Sequence, residues 1–238
     1  MTNVFTPVAP ILLKTTGGHD FPVARVFCVG RNYAAHAVEM GKDPDRDPPF
    51  YFTKFPDAVR NSAPEDDLEI PYPSQTSNFH YEAEMVVAIG AAGFEISSDA
   101  SLDHVCGYAV GLDMTRCDLQ LEAREKGRPW DTGKNVPNSC PTGRLQMIEN
   151  GGHIAGGRIH LTVNGETRQD ADINDLIWSV PEIIVHLSAL YELRPGDLIY
   201  TGTPAGVGPV VSGDEIICTI AGLPDLKVRI GAPFEQSS

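Results

Sequence analysis

From residue 25 onward the chain alternates short apolar runs with turns rich in Gly and Pro. Runs of this length bounded by turn residues predict strands, here over 25–29, 50–54, 81–90, 104–113, 158–164, 198–201, 215–220 and 226–230. Three segments carry helix formers instead. The first, 31–40, is stopped by Gly41; the second, 115–126, is broken by Gly127, Arg128 and Pro129; the third, 180–191, opens on Ser179 and Glu182 at capping-box spacing. The first 24 residues are rich in Pro, Thr and Gly and read as a surface arm or a short strand pair. The stretch 43–49, with three prolines and three aspartates, excludes both helix and central strand and reads as a polar loop of the kind that serves as an active-site lid. Many short strands, few helices and no regular βα alternation predict an α+β, mostly β domain.

Composition narrows the range of partners. At 238 residues the chain sits at the upper end of a single domain. Asp and Glu outnumber Lys and Arg by 32 to 18, giving a net charge of −14 that repels nucleic-acid phosphates and anionic lipid surfaces. No stretch approaches the roughly 18–20 apolar residues of a membrane span, and the N-terminus lacks a signal-peptide pattern. Five cysteines, odd in number and without a CxxC pair, read as reduced thiols, which predicts a cytoplasmic protein. The same negative field would repel an anionic substrate, so a carboxylate ligand has to be recruited locally, by a cation or by clustered Lys and Arg.

Candidate chemistry gathers around three carboxylates. On a strand, Glu82 and Glu84 point the same way, their Cβ atoms roughly 6.5 Å apart, while Tyr81, Ala83 and Met85 face the apolar side. Two carboxylates leading into the buried run Val86-Val87-Ala88-Ile89 suffer repulsion and desolvation, and a cation between them removes both. Asp113, at the end of another apolar run, offers a third oxygen ligand, and such an oxygen site suits Mg²⁺ or Mn²⁺ better than zinc. An isolated E-x-E is more often the solvent face of an amphipathic strand. His36 and Glu39, three residues apart, fit a general base with its orienting carboxylate, or an exposed helical pair. Lys134 could place a cation beside developing negative charge. The glycine-rich stretch 200–208 lacks the Gly-Lys-Ser/Thr ending of a nucleotide loop and reads as a turn whose Thr203 hydroxyl and backbone N–H groups face a ligand. Nucleophile-elbow, zinc-protease and dinucleotide motifs are absent, and Cys140 reads as a packed thiol.

Residues 28–33 (CVGRNY), His36, Tyr81-Glu82-Ala83-Glu84, Asp113 with Gln120, Trp130, Lys134 and the loop 201–208 (TGTPAGVG) stand in one order and spacing. In this the chain resembles the fumarylacetoacetate hydrolase family over about residues 25 to 230. The resemblance divides the chain into an arm, 1–24, and a catalytic domain, 25–238. It implies a mixed β-roll, a homodimer and a Mg²⁺ or Mn²⁺ ion held by Glu82, Glu84 and Asp113. It further implies that His36 and Glu39, on a lid, activate a water that attacks a 1,3-diketo acid, while Lys134 and the metal hold the departing enolate. Arg31, Tyr33, Gln120 and Thr203 would then contact the small oxo-acid substrate. Within the family the chain is similar to bacterial fumarylpyruvate hydrolases, which implies a hydrolase of acylpyruvates in aromatic catabolism. An oxaloacetate decarboxylase or tautomerase using the same site, and a catalytically inactive binding module, are the alternatives. The chain departs from the family at Cys117, where relatives commonly carry Arg, and around 135–141. Arg116 cannot simply replace that Arg, since helical neighbours point about 100° apart.

Overall fold

The computed structural model describes residues 3–34, 47–61 and 68–233. Its framework is a mixed, mostly β roll with short helices at the margins, as the sequence predicts. The largest sheet runs in the order Phe50–Lys54, Arg25–Gly30, Asp197–Tyr200, Ala83–Ile89, Val105–Leu112, Cys140–Thr142, Val59–Asn61, with Gln146–Met147 also paired to Val105–Leu112. It is mixed: Asp197–Tyr200 runs parallel to Arg25–Gly30 and antiparallel to Ala83–Ile89. A five-stranded sheet is ordered Glu166–Asp172, Arg158–Val163, Glu215–Ile220, Leu226–Gly231, Leu68–Pro71, and a three-stranded one Thr115–Arg116, Phe79–Tyr81, Gly208–Val210. Near the N-terminus Leu12–Lys14 pairs antiparallel with Asp20–Pro22, and Leu13 is fully buried.

The strand Ala83–Ile89 is buried along its whole length because it separates two cores. Ala83, Met85, Val87 and Ile89 join the larger core, with Tyr81, Leu161, Ile216 and Ile184. Val86 and Ala88 face the smaller one, with Cys28, Cys140, Leu198 and Tyr200. Burial on both faces explains a continuous apolar run without alternation, each buried Val, Ile or Met contributing roughly 1.5–3 kcal/mol. The helix Val180–Leu190 presents Val180, Ile183, Ile184 and Leu187 to the larger core at i, i+3, i+4 and i+7 spacing. Its start is fixed as expected, with the Glu182 carboxylate accepting from Ser179 N at 2.9 Å.

Three elements differ from the sequence reading. The strand predicted over 81–90 is two strands, Phe79–Tyr81 and Ala83–Ile89, which belong to different sheets and meet at Glu82. The helix predicted from residue 31 does not begin there. Arg31 has φ of 55°, Asn32 is fully buried, and Tyr33 bridges to Leu176. The Asn32 amide donates to the carbonyls of Trp178 and Thr201 at 2.9 and 2.8 Å and accepts from Trp178 N at 2.7 Å. Those bonds hold the backbone out of the helix despite favourable propensities. Likewise Thr115–Arg116 pairs with Phe79–Tyr81, so the next helix is Cys117–Glu125. His36, Glu39, Gly41 and residues 43–46 of the expected lid lie outside the described residues.

Candidate active site

The switch between sheets at Glu82 brings the acidic residues together. Asp113 directly follows Val105–Leu112, and its N–H donates to the Glu82 carbonyl at 2.9 Å, which places both side chains at the rim where the two sheets part. One carboxylate oxygen from each of Glu82, Glu84 and Asp113 lies within 4.8 Å of the other two. Glu84 and Asp113 are buried and Glu82 is partly exposed. A solvated face, the common fate of an E-x-E pair, therefore does not apply here.

Two ammonium groups compensate these charges. Lys134 Nζ lies 2.7 Å from both Glu82 Oε1 and Asp113 Oδ2 and 5.1 Å above the Phe52 ring. Lys54, fully buried, lies 2.5 Å from Asp113 Oδ1 and donates to the Met114 carbonyl, the Ser139 carbonyl and Ser139 Oγ at 3.0, 3.1 and 2.9 Å. Burial alone would raise the Asp113 carboxyl, but Lys134 and Lys54 outweigh it and hold it below the ordinary value. Among the described residues Glu84 has no ammonium in ion-pair contact. Burial, then the charges of Asp113 and Glu82, push its carboxyl well above the usual range, offset only in part by the Gly202 N–H at 2.7 Å. Three carboxylates against two ammonium groups leave one net negative charge. A divalent cation would turn that into one positive charge, which is the local attraction an anionic substrate needs in so acidic a chain. A donor set of carboxylate oxygens alone fits a hard cation.

Gly202 reaches Glu84 because it has no side chain. Its φ is 101°, and a Cβ there would lie 2.7 Å from the Asn32 Cβ. The neighbouring Thr203 is held by Gln169, fully buried, whose Nε2 donates to Thr203 Oγ1 and the Pro204 carbonyl, both at 2.8 Å, while its Oε1 accepts from Ala83 N at 3.0 Å. One amide thus ties the loop to the strand that carries Glu84. Gln169→Leu leaves these buried groups unsatisfied at about 1–3 kcal/mol each. The expected result is a lower chemical-denaturation midpoint with kcat/KM reduced further than the loss of folded protein explains. An unchanged midpoint would show that the loop is held by other contacts.

Above the carboxylates opens a cleft lined by Arg31, Gln120 and Thr203, three of the four residues expected to contact substrate, and by Phe50, Phe52, Trp130, His80 and Arg124. Tyr33 does not line it. That side chain is 2% exposed in the core, and burial, then the charge of Glu84, raises its hydroxyl pKa. Cys117 lines the cleft as a neutral thiol, its pKa raised by burial and then by Glu82. Arg116 turns away toward the Thr132 carbonyl and supplies no guanidinium there. Sequence reasoning missed Lys54, Gln169, Asn32, His80 and Arg124. For His80 a signal existed, since it shares the parity of Glu82 and Glu84. Its Nε2 lies 2.7 Å from Asn78 Oδ1.

Residues 25–231 match the family described as fumarylacetoacetate (FAA) hydrolase, C-terminal. The chain belongs to the fumarylacetoacetate hydrolase family. Among its family relatives, a fumarylpyruvate hydrolase from a Ralstonia species is 47% identical over 194 residues, covering 81% of this chain and 98% of the relative. The oxaloacetate tautomerase YcgM of Escherichia coli is 36% identical over 206 residues, covering 85% and 91%. A crystal structure of fumarylpyruvate hydrolase from Pseudomonas aeruginosa, in complex with Mn²⁺ and pyruvate, superimposes with a TM-score of 0.95 at 52% identity, covering 97% of this chain and all of that one.

Proposed function

We propose that this chain is a metal-dependent hydrolase that cleaves a carbon–carbon bond in acylpyruvates, with fumarylpyruvate split to fumarate and pyruvate in aromatic catabolism. The observation that carries the reading is the cluster of three carboxylates and the Lys134 ammonium on the floor of a cleft, backed by the buried Lys54, in a chain 47% identical to a fumarylpyruvate hydrolase. Glu82, Glu84 and Asp113 would hold Mg²⁺ or Mn²⁺, which when bound supplies a Lewis acid for the 2-oxo acid end of the substrate. His36, oriented by Glu39, takes a proton from water as the water oxygen adds to the acyl carbonyl. The bond between that carbon and the pyruvate methylene then breaks, and its electron pair passes to the pyruvate part, which is protonated on carbon. Lys134, already placed between Glu82 and Asp113, offsets the charge of the departing enolate. Gln120 and Thr203 orient the substrate, whereas Tyr33 acts through packing. We further propose a cytoplasmic homodimer as the working form; all five cysteines are free, as reduced thiols would be, and among the described residues no helix is long and apolar enough to cross a membrane.

The test is to follow the enol absorbance of several acylpyruvates with purified protein and Mn²⁺ or Mg²⁺. Decay that a chelator abolishes, with pyruvate released, is expected. Absence of decay for every acylpyruvate would overturn the reading. The 36% identity to an oxaloacetate tautomerase, together with a thiol at Cys117, favours a second reading in which the same residues interconvert keto and enol forms of oxaloacetate. Acting on oxaloacetate, the protein would then interconvert the two forms without cleaving a bond. His36→Ala further separates hydrolysis, which collapses, from metal-assisted decarboxylation of oxaloacetate at the same site, which needs no attacking water and persists.

A further inference from the structure

Two guanidinium groups open onto the cleft, and among the described residues no acid meets them. Arg31 and Arg124 both line it, and neither guanidinium makes an ion pair or hydrogen bond among the described residues. In a chain of net charge −14, two cations left unpaired at one place stand out. Of the three acids on the helix, Asp118 accepts from Thr76 Oγ1 at 2.6 Å and Ser77 N at 3.2 Å, Glu122 pairs with Lys126, and Glu125 pairs with neither arginine.

Both arginines are aimed by the fold. Arg31 stands in the left-handed region, next to the anchored Asn32, and its guanidinium lies 5.3 Å from the centre of the Phe50 ring. Arg124 belongs to the helix Cys117–Glu125, where Cys117, Gln120, Leu121 and Arg124 share the cleft face at i, i+3, i+4 and i+7 spacing. Side chains on a helix tilt toward its N-terminus, so Arg124 leans back along the cleft toward Cys117 and the carboxylates. Burial, then the charge of Arg124, lowers the Arg31 pKa, a cost that a bound anion relieves. The carboxylates at the other end of the cleft cannot serve, because Lys54 and Lys134 already engage Asp113 and Glu82.

We propose that Arg31 and Arg124 together receive a second carboxylate, at the end of the acyl chain remote from the pyruvate unit, and so select dicarboxylic over neutral-ended acylpyruvates. The inference takes its reaction from the hydrolase reading, but its anion chemistry stands apart from it. It also gives Cys117 a meaning: the guanidinium missing at the first turn of the helix is supplied two turns later, about 10 Å further along the axis, where a longer substrate ends.

The experiment compares wild type, Arg124→Gln and Arg124→Lys in the Mn²⁺-loaded protein. The ratio of kcat/KM for fumarylpyruvate to that for acetylpyruvate, which ends in a methyl group, is expected to fall about tenfold in Arg124→Gln, through KM. Arg124→Lys should recover part of it. In parallel, calorimetric titration should show wild type preferring fumarate to crotonate, its methyl-ended analogue, and Arg124→Gln losing that preference. Arg124 is exposed, so the variants should keep the melting temperature of wild type. A substrate ratio and a fumarate preference both unchanged in Arg124→Gln would overturn the proposal. If wild type hydrolyses no acylpyruvate, the hydrolase reading fails while the fumarate-against-crotonate comparison still decides the role of the arginines.

Discussion

Lys54→Met is expected to lower the melting temperature by roughly 10 °C and to abolish most activity, although Lys54 does not reach the open cleft. The ammonium is fully buried, 2.5 Å from an equally buried Asp113 oxygen, and it satisfies three further oxygens on Met114 and Ser139. Removing Lys54 leaves the buried Asp113 charge to Lys134 alone, at a cost of up to about 3–5 kcal/mol, and in a chain of this length each kcal/mol moves the midpoint by about 2–4 °C. Methionine keeps the length of the side chain, so the loss reports charge rather than volume. Adding Asp113→Asn to Lys54→Met should restore part of the stability while leaving activity absent, because the second change removes the under-compensated charge and Lys134 keeps Glu82 as its partner. A single-variant shift below about 2 °C would show that Asp113 is compensated by Lys134 alone.

Glu84→Gln should do the opposite to stability and the same to activity. Glu84 is buried beside two other carboxylates with no ammonium in ion-pair contact among the described residues, and its charge is supported by the Gly202 N–H and, more weakly, by the more distant Lys134. Glutamine keeps the shape and still accepts that bond while removing the repulsion, so the chelated protein should melt about 2–4 °C higher, the equivalent of ~1 kcal/mol. The stabilisation that Mn²⁺ gives wild type, about 2.7 kcal/mol at a hundredfold excess over Kd, should largely vanish, and turnover should fall at least about a hundredfold. A destabilised chelated variant would mean that the Glu84 carboxylate is held by contacts other than those described. Residues conserved in shape but opposite in effect on folding and function are what a site strained for a ligand should contain.

Much of this was legible along the chain, for identifiable reasons. The strand Ala83–Ile89 announced itself because seven successive positions are buried, and Tyr81, Ala83 and Met85 joined one core as alternation requires. The pair Glu82 and Glu84 was visible for the same reason, since acids beside a buried run are costly and need a cause. What local pattern could not reveal was the change of sheet at Glu82, which depends on which distant strand each half pairs with. Lys54 was hidden because a lysine ending a strand is usually solvated, and only its place between Asp113 and Ser139 makes it a core residue. Gln169 sits in a polar strand 86 residues from Ala83, whose N–H it satisfies, and nothing in its neighbours marks that role. The helix expected from Arg31 failed because Asn32 had bonding partners more than a hundred residues away, on Trp178 and Thr201.

The cleft is assembled from parts that answer to different constraints. Its floor is written into sheet strands and locked by buried charge, so a substitution there moves folding and chemistry at once. Its outer wall is one face of a single short helix, on which Gln120, Leu121 and Arg124 are only half buried or exposed. Change on that face is cheap. Evolution can therefore redraw what the pocket admits while leaving the reactive centre untouched, which offers a structural reason why one family houses both hydrolases and tautomerases, and why a laboratory seeking new specificities should randomise this helix first.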